Sequence, residues 1–195
     1  MKIFFRSIRV LICLTLLLGL GYPLFVTYVA GKLMPWRANG SIMILRGEPR
    51  MSLLIAQEFA SARYFHTRPS AVGYDGDSSG GSSLGPTSAK LILTNIPAAI
   101  RNARSEDGLP AGRPIPPDMV TSSASGLDPH ISLSNATLQI PRVAKARHIS
   151  ESQLIKIVLN QKRPSFLGIC GETVVNVMSL NLYLDESARE TGYDK

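Results

Sequence analysis

From Val10 to Ala30 the chain carries no charged side chain. Built as a helix, these residues rise about 32 Å at ~1.5 Å each, close to the hydrocarbon thickness of a bilayer. Gly19, Gly21 and Pro23 weaken the helix locally, a defect that membrane helices tolerate when a neighbouring helix covers the freed backbone. A cleaved signal peptide is the competing reading. Its apolar stretch is shorter, and it ends in a small-x-small site that Tyr28 and Ala30 do not supply. Cys13 lies within the apolar run, where a lipidated N-terminal cysteine would not be. The run reads as an uncleaved transmembrane anchor, residues 10–30.

Lys2, Arg6 and Arg9 stand before the span with no acid among them, which favours a cytoplasmic tail, residues 1–9. Lys32 and Arg37 follow on the far side, so the asymmetry is moderate. Residues 31–195 would then form one extracytoplasmic domain, long enough for a proper core and short for two. The net charge of +7 includes those three tail charges, and the remaining surplus is spread thinly. It lacks the clustering of a nucleic-acid footprint, so no nucleic acid is expected as a partner. Cys13 in the span and Cys170 far beyond it cannot pair, which excludes a disulfide-stapled exported domain.

Past the span, Trp36 in MPWRANG suits a membrane–water boundary. Leu53, Ala56, Phe59 and Ala60 fall at helical spacing in SLLIAQEFASARYF (52–65), and Pro69 stops that helix. GYDGDSSGGSSLGP (73–86) is a loop with almost nothing to bury, so any order in it must come from outside itself. Thr87 or Ser88 caps a helix through AKLILTNIPAAIRNAR, bent or split at Pro97. SEDGLPAGRPIPP is a second polar connection. A helix over SNATLQIPRVAKAR takes Ser134 as cap and contains Pro141, and SESQLIKIVLNQKR opens with Ser150 and Gln153 at capping-box spacing. Leu154, Ile157 and Val158 form its apolar stripe, and Pro164 ends it. Met178, Leu180, Leu182 and Leu184 alternate with polar residues at the period of a half-buried strand. The expected fold is α+β: one N-terminal transmembrane helix followed by a single mixed domain.

Three stretches invite chemistry. The glycine loop lacks the lysine and hydroxyl of a phosphate-binding loop, since Pro86 follows Gly85 and offers no N–H. Asp75, Asp77, Ser79 and Gly80 start like a calcium loop, but Pro86 stands where the bidentate glutamate belongs. TSSASGLDPHIS (121–132) offers Ser125, Asp128 and His130 to a membrane-anchored hydrolase. It lacks the first glycine of a nucleophile elbow and any clustered further ligand for a metal. The preferred reading is structural: hydroxyls and a carboxylate satisfying backbone N–H groups, Gly126 in a conformation others avoid, and Asp128 or Ser132 starting a helix.

YFHTRPSA (64–71), SSGGSSLGP (78–86), PPDMVTSSASGLDPHIS (116–132), QIPRVAKAR (139–147) and VNVMSLNLYLD (175–185), with RANGS (37–41) after the span, occur in register. Together they resemble the C subunit of the bacterial Kdp-type potassium-transporting ATPase. The resemblance implies a non-catalytic accessory subunit of an ATP-driven potassium importer in the inner membrane. Its implied partners are a channel-like A subunit that selects potassium and a P-type B subunit that hydrolyses ATP, and the C subunit would raise the ATP affinity of the latter. It implies no catalytic residue, no metal and no cofactor of its own; ATP and potassium are handled by the complex. Ser83, Arg37 and GICGETVVN (168–176) depart from the usual pattern. An extracytoplasmic domain cannot touch ATP inside the cell, so either the orientation is reversed or any effect on ATP use passes through the membrane helices; the short basic tail favours the second.

Overall fold

The computed structural model describes residues 1–45, 48–165 and 168–190. They fall into two compact units, Met1–Arg50 and the chain from Met51 on. In the first, α1 (Lys2–Leu14), a π-helical segment (Thr15–Gly21) and α2 (Tyr22–Leu33) run on as one helix. It is long and apolar enough to cross a membrane. The helix runs on past residues 10–30 at both ends. The glycines and Pro23 do not break it; the Tyr22 N–H reaches Leu17 O, five residues back, and the lost α-helical bonds become a π turn. The short α3 (Pro35–Ala38) follows, and the Trp36 indole donates to Ile42 O at 3.4 Å. Strands β1 (Ile42–Leu45) and β2 (Glu48–Ser52) make a two-stranded ribbon.

The second unit is mixed helix and sheet, the α+β arrangement expected. Its elements are a π turn (Leu91–Asn95) leading into α4 (Ile96–Asp107), then α5 (Pro117–Val120), β3 (His130–Ser132), α6 (Leu133–Arg147), α7 (Glu151–Gln161), β4 (Lys162–Arg163), β5 (Val174–Asn176) and α8 (Val177–Glu190). The three-stranded sheet runs β3-β5-β4, antiparallel throughout, with His130 opposite Asn176 and Lys162 opposite Val175. The core gathers Ile131, Ile140, Val143, Leu154, Val158, Val175, Met178, Leu180 and Leu184 around Phe65, which is fully buried. Burying each large apolar side chain contributes about 1.5–3 kcal/mol.

Local chemistry fixes the helix ends. Ser88 Oγ accepts from Leu91 N, and Pro97 sits in the first turn of α4, where the π-helical Leu91–Asn95 runs directly into it; the helix is not split there. Gly108, at φ +63, closes α4. The cap of α6 is Ser132 and not Ser134: Ser132 Oγ accepts from Asn135 N, and Asp118 takes both the N–H and the hydroxyl of Ser132. Ser150 and Gln153 form the expected capping box of α7.

Two further expectations are overturned. Residues 178–185 are not a strand but the heart of α8. Asn176 Oδ1 accepts from Ser179 N and starts the helix, while Val177, Met178, Leu180, Leu182 and Leu184 all turn inward. Asn181 misleads the reading, because a polar residue taken as exposed gives a period of two, whereas it is 1% exposed. The helix expected over 52–65 is absent; from Leu53 to Arg68 the chain runs through bends, turns and stretches without regular structure. Part of the pattern still faces inward, with Ala56 buried and Leu53 and Phe59 partly so, whereas Leu54 and Ala60 are exposed.

Candidate functional site

The segment that replaces the expected helix is held by side chains. Asn181 on α8 accepts from Phe65 N (2.8 Å) and donates to Phe65 O (2.9 Å), as the backbone of a neighbouring strand would. Gln139 on α6 does the same for His66, accepting from its N–H at 2.7 Å and donating to its carbonyl at 3.1 Å. Arg142 donates to the carbonyls of Ala62 and Tyr64, and Arg147 to that of Arg63. Each arginine is anchored in turn. Arg142 pairs with Asp107 at 2.7 Å, both side chains nearly buried, and Arg147 pairs with Asp185 at 2.8 Å and lies over the Tyr64 ring. Burial pushes the Asp107 carboxyl up, with Arg142 working against it. The Tyr64 phenol is also pushed up, by burial first and by its bonded neighbour Asp185 second. Sequence reading missed these residues. The available signal was the set Asn135, Gln139 and Arg142, spaced along one face of a helix that must also bury apolar residues.

The second cluster is TSSASGLDPHIS. Ser125 Oγ accepts from Leu127 N, and its carbonyl accepts from Gly80 N (2.9 Å) and Ser79 Oγ (3.3 Å). The 73–86 loop is thus tied to 121–126, which supplies the order its composition could not. Ser70 Oγ donates to Gly126 O at 2.7 Å, and Ala56 N to Leu127 O at 2.8 Å. Asp128 Oδ1 accepts from His130 N at 3.0 Å and lies 3.3 Å from His130 Nδ1, while Oδ2 lies 3.5 Å from Arg68. His130 Nε2 faces Asn176 Nδ2 at 3.4 Å. Among the described residues no hydrogen bond joins Ser125 to His130, and no group of three His, Cys, Asp or Glu side chains could hold a metal. The segment connects loops to the sheet. It does not assemble a nucleophile and its base. Ser125→Ala is therefore expected to lower stability by only about 1 kcal/mol, read as the melting temperature of the full-length chain in detergent.

The hydrogen bond from His130 lowers the Asp128 carboxyl below its usual range, and Arg68 adds to it against the opposing effect of burial. A depressed acid stabilises the fold above its ordinary pKa near ~4, and that contribution vanishes as pH falls through the folded value. Melting of the full-length chain in detergent should accordingly steepen below about pH 4, and Asp128→Asn should flatten that acid limb. An unchanged limb would remove Asp128 from the cluster's stabilisation.

The model of the family described as "K+-transporting ATPase, c chain" matches residues 4–186. The chain belongs to the KdpC family. A potassium-transporting ATPase KdpC subunit from Methylobacterium nodulans is 45% identical over 191 residues, covering 91% of this chain and 93% of its own length. Those of Koribacter versatilis and Mycobacterium bovis are 43% and 44% identical, each over 92% of this chain. The match to the KdpC family takes in the long apolar helix, the clamped segment and the tied loops alike. Membership also fits a site whose polar groups are engaged with one another: these relatives are named as a subunit of an ATPase.

Proposed function

We propose that the chain is a non-catalytic accessory subunit of an ATP-driven potassium importer. It would assemble or stabilise a channel-like A subunit and an ATP-hydrolysing B subunit, with ATP and potassium handled by the complex. The observation that carries this is the collinear match to the KdpC family over residues 4–186, joined to a clamp and a loop cluster whose amides and hydroxyls are bonded to backbone. Residues 1–9 lie in the cytoplasm, 10–30 contact membrane lipid, and 31–195 lie outside, in the periplasm of a bacterial inner membrane. Support for this orientation is the basic tail, because three charges on a short segment are cheap to retain and costly to translocate. Any rise in the ATP affinity of the B subunit then travels through the membrane helices.

Copurification from detergent tests the assembly: two larger membrane proteins should follow the tagged chain, and recovery of the chain alone would overturn it. Topology is read separately. Gly76 is exposed in the tied loop, so a cysteine there, with Cys170→Ser, should react with a membrane-impermeant maleimide added to the outer face. Labelling confined to inside-out vesicles would reverse the orientation and make direct contact with ATP the better account.

A further inference from the structure

Within the clamped segment, His66 is placed between two groups that accept hydrogen bonds. Its Nδ1 lies 2.8 Å from Glu106 Oε1 on α4, and its Nε2 lies 3.2 Å from the Ser61 carbonyl. A neutral imidazole has one N–H and can serve only one of them; the imidazolium serves both. Arg142 Nη1 stands 3.4 Å from Nε2, but it already donates to the carbonyls of Ala62 and Tyr64. Arg142, Glu106 and the Asp107 paired with Arg142 are the charged groups beside the ring. Tyr74 and Glu58 line the same 390 Å³ cavity as His66, Glu106 and Asp107. The His66 side chain is 19% exposed, whereas that of Glu106 is 48% exposed.

We propose that His66 is a proton-operated tie between α4 and the clamped segment: as the imidazolium it bridges the Glu106 carboxylate and the Ser61 carbonyl, and as the neutral ring it releases one of the two. The sign follows from the donors: the bridging form is the one with the extra proton, and its contribution is present at low pH and lost as pH rises. What the proton controls is local. Residues 61–66 and the cavity wall they share with α4 become looser when the second bond is lost, while the Asn181 and Gln139 clamps on Phe65 and His66 persist. The tie operates on whichever side of the membrane the domain sits.

Hydrogen exchange of the full-length chain in detergent, read by mass spectrometry on the peptide spanning 57–66, measures it. After correction for intrinsic exchange, opening should be roughly fivefold rarer at about pH 5.5 than at about pH 8, the effect of one net hydrogen bond on a local opening equilibrium. His66→Gln should abolish this difference, because the amide does not titrate. Glu106→Gln should keep the difference but move its midpoint to lower pH, since the carboxylate that favours the cation is gone. An equal pH response in His66→Gln, or no response in the parent chain, would overturn the proposal. Should His66→Gln fail to fold, an unmoved midpoint in Glu106→Gln would overturn it as well.

Discussion

Asn181→Ala should destabilise the unit from Met51 on by about 4 kcal/mol, a large part of the ~5–15 kcal/mol by which a domain of this size is folded. The side chain is 1% exposed and both its hydrogen bonds go to the backbone of Phe65, itself fully buried. Truncation leaves an N–H and a C=O without partners in a site water does not reach, each at about 1–3 kcal/mol. Part of the amide volume also becomes a void. No neighbouring backbone is placed to take over, because the segment around Phe65 belongs to no strand. Asn181→Asp tests the same account from the other side. It keeps an acceptor for Phe65 N, loses the donor to Phe65 O and adds a buried charge, so it should be at least as harmful. Denaturant or thermal midpoints of the full-length chain in detergent read both. A loss below about 1 kcal/mol for Asn181→Ala would mean that the clamp is a consequence of packing and not a cause of the fold.

That same asparagine marks where sequence reading stopped. The elements written in local chemistry were legible: the uncharged span, the Ser150–Gln153 capping box, the entry of α4 at Ser88 and Pro97, and the structural reading of TSSASGLDPHIS. What failed depended on partners far away in the chain. The Leu53, Ala56, Phe59, Ala60 spacing is a genuine helical pattern, yet Asn181, Gln139, Arg142 and Arg147 offer the backbone of 62–66 better partners than a helix would. Those partners lie 73 or more residues away, beyond any window that reads periodicity. The strand expected over 178–185 failed for the complementary reason, because a buried amide reads as a surface position until its partner is known. In the glycine loop the sequence showed that order had to be imported but not from where. The partner turned out to be the carbonyl of Ser125, which accepts from Gly80 N and Ser79 Oγ, in the very segment that had looked catalytic.

Gly126→Ala tests how much that junction contributes. Gly126 has φ +70, in the left-handed region, where a Cβ alone costs about 1–2 kcal/mol. Space is a second obstacle: the new carbon would stand 2.6 Å from a Val72 methyl and 2.8 Å from the carbonyl oxygen of Gly80. The methyl can rotate away, but the carbonyl is backbone. Its own residue donates to Ser125 O, so the 73–86 loop cannot retreat without breaking the bond that orders it. Ser70 Oγ, bonded to Gly126 O and 3.2 Å from the added carbon, closes the third side. Strain and clash together should reach about 3 kcal/mol or more, lowering the melting temperature and exposing the loop near Gly76 to proteolysis before the core unfolds. Gly76→Ala is the control, since its added carbon would meet only the end of Ile55 at 3.5 Å, an ordinary contact, and should be nearly neutral. Equal tolerance of both substitutions would show that the loop and TSSASGLDPHIS lie side by side without holding each other.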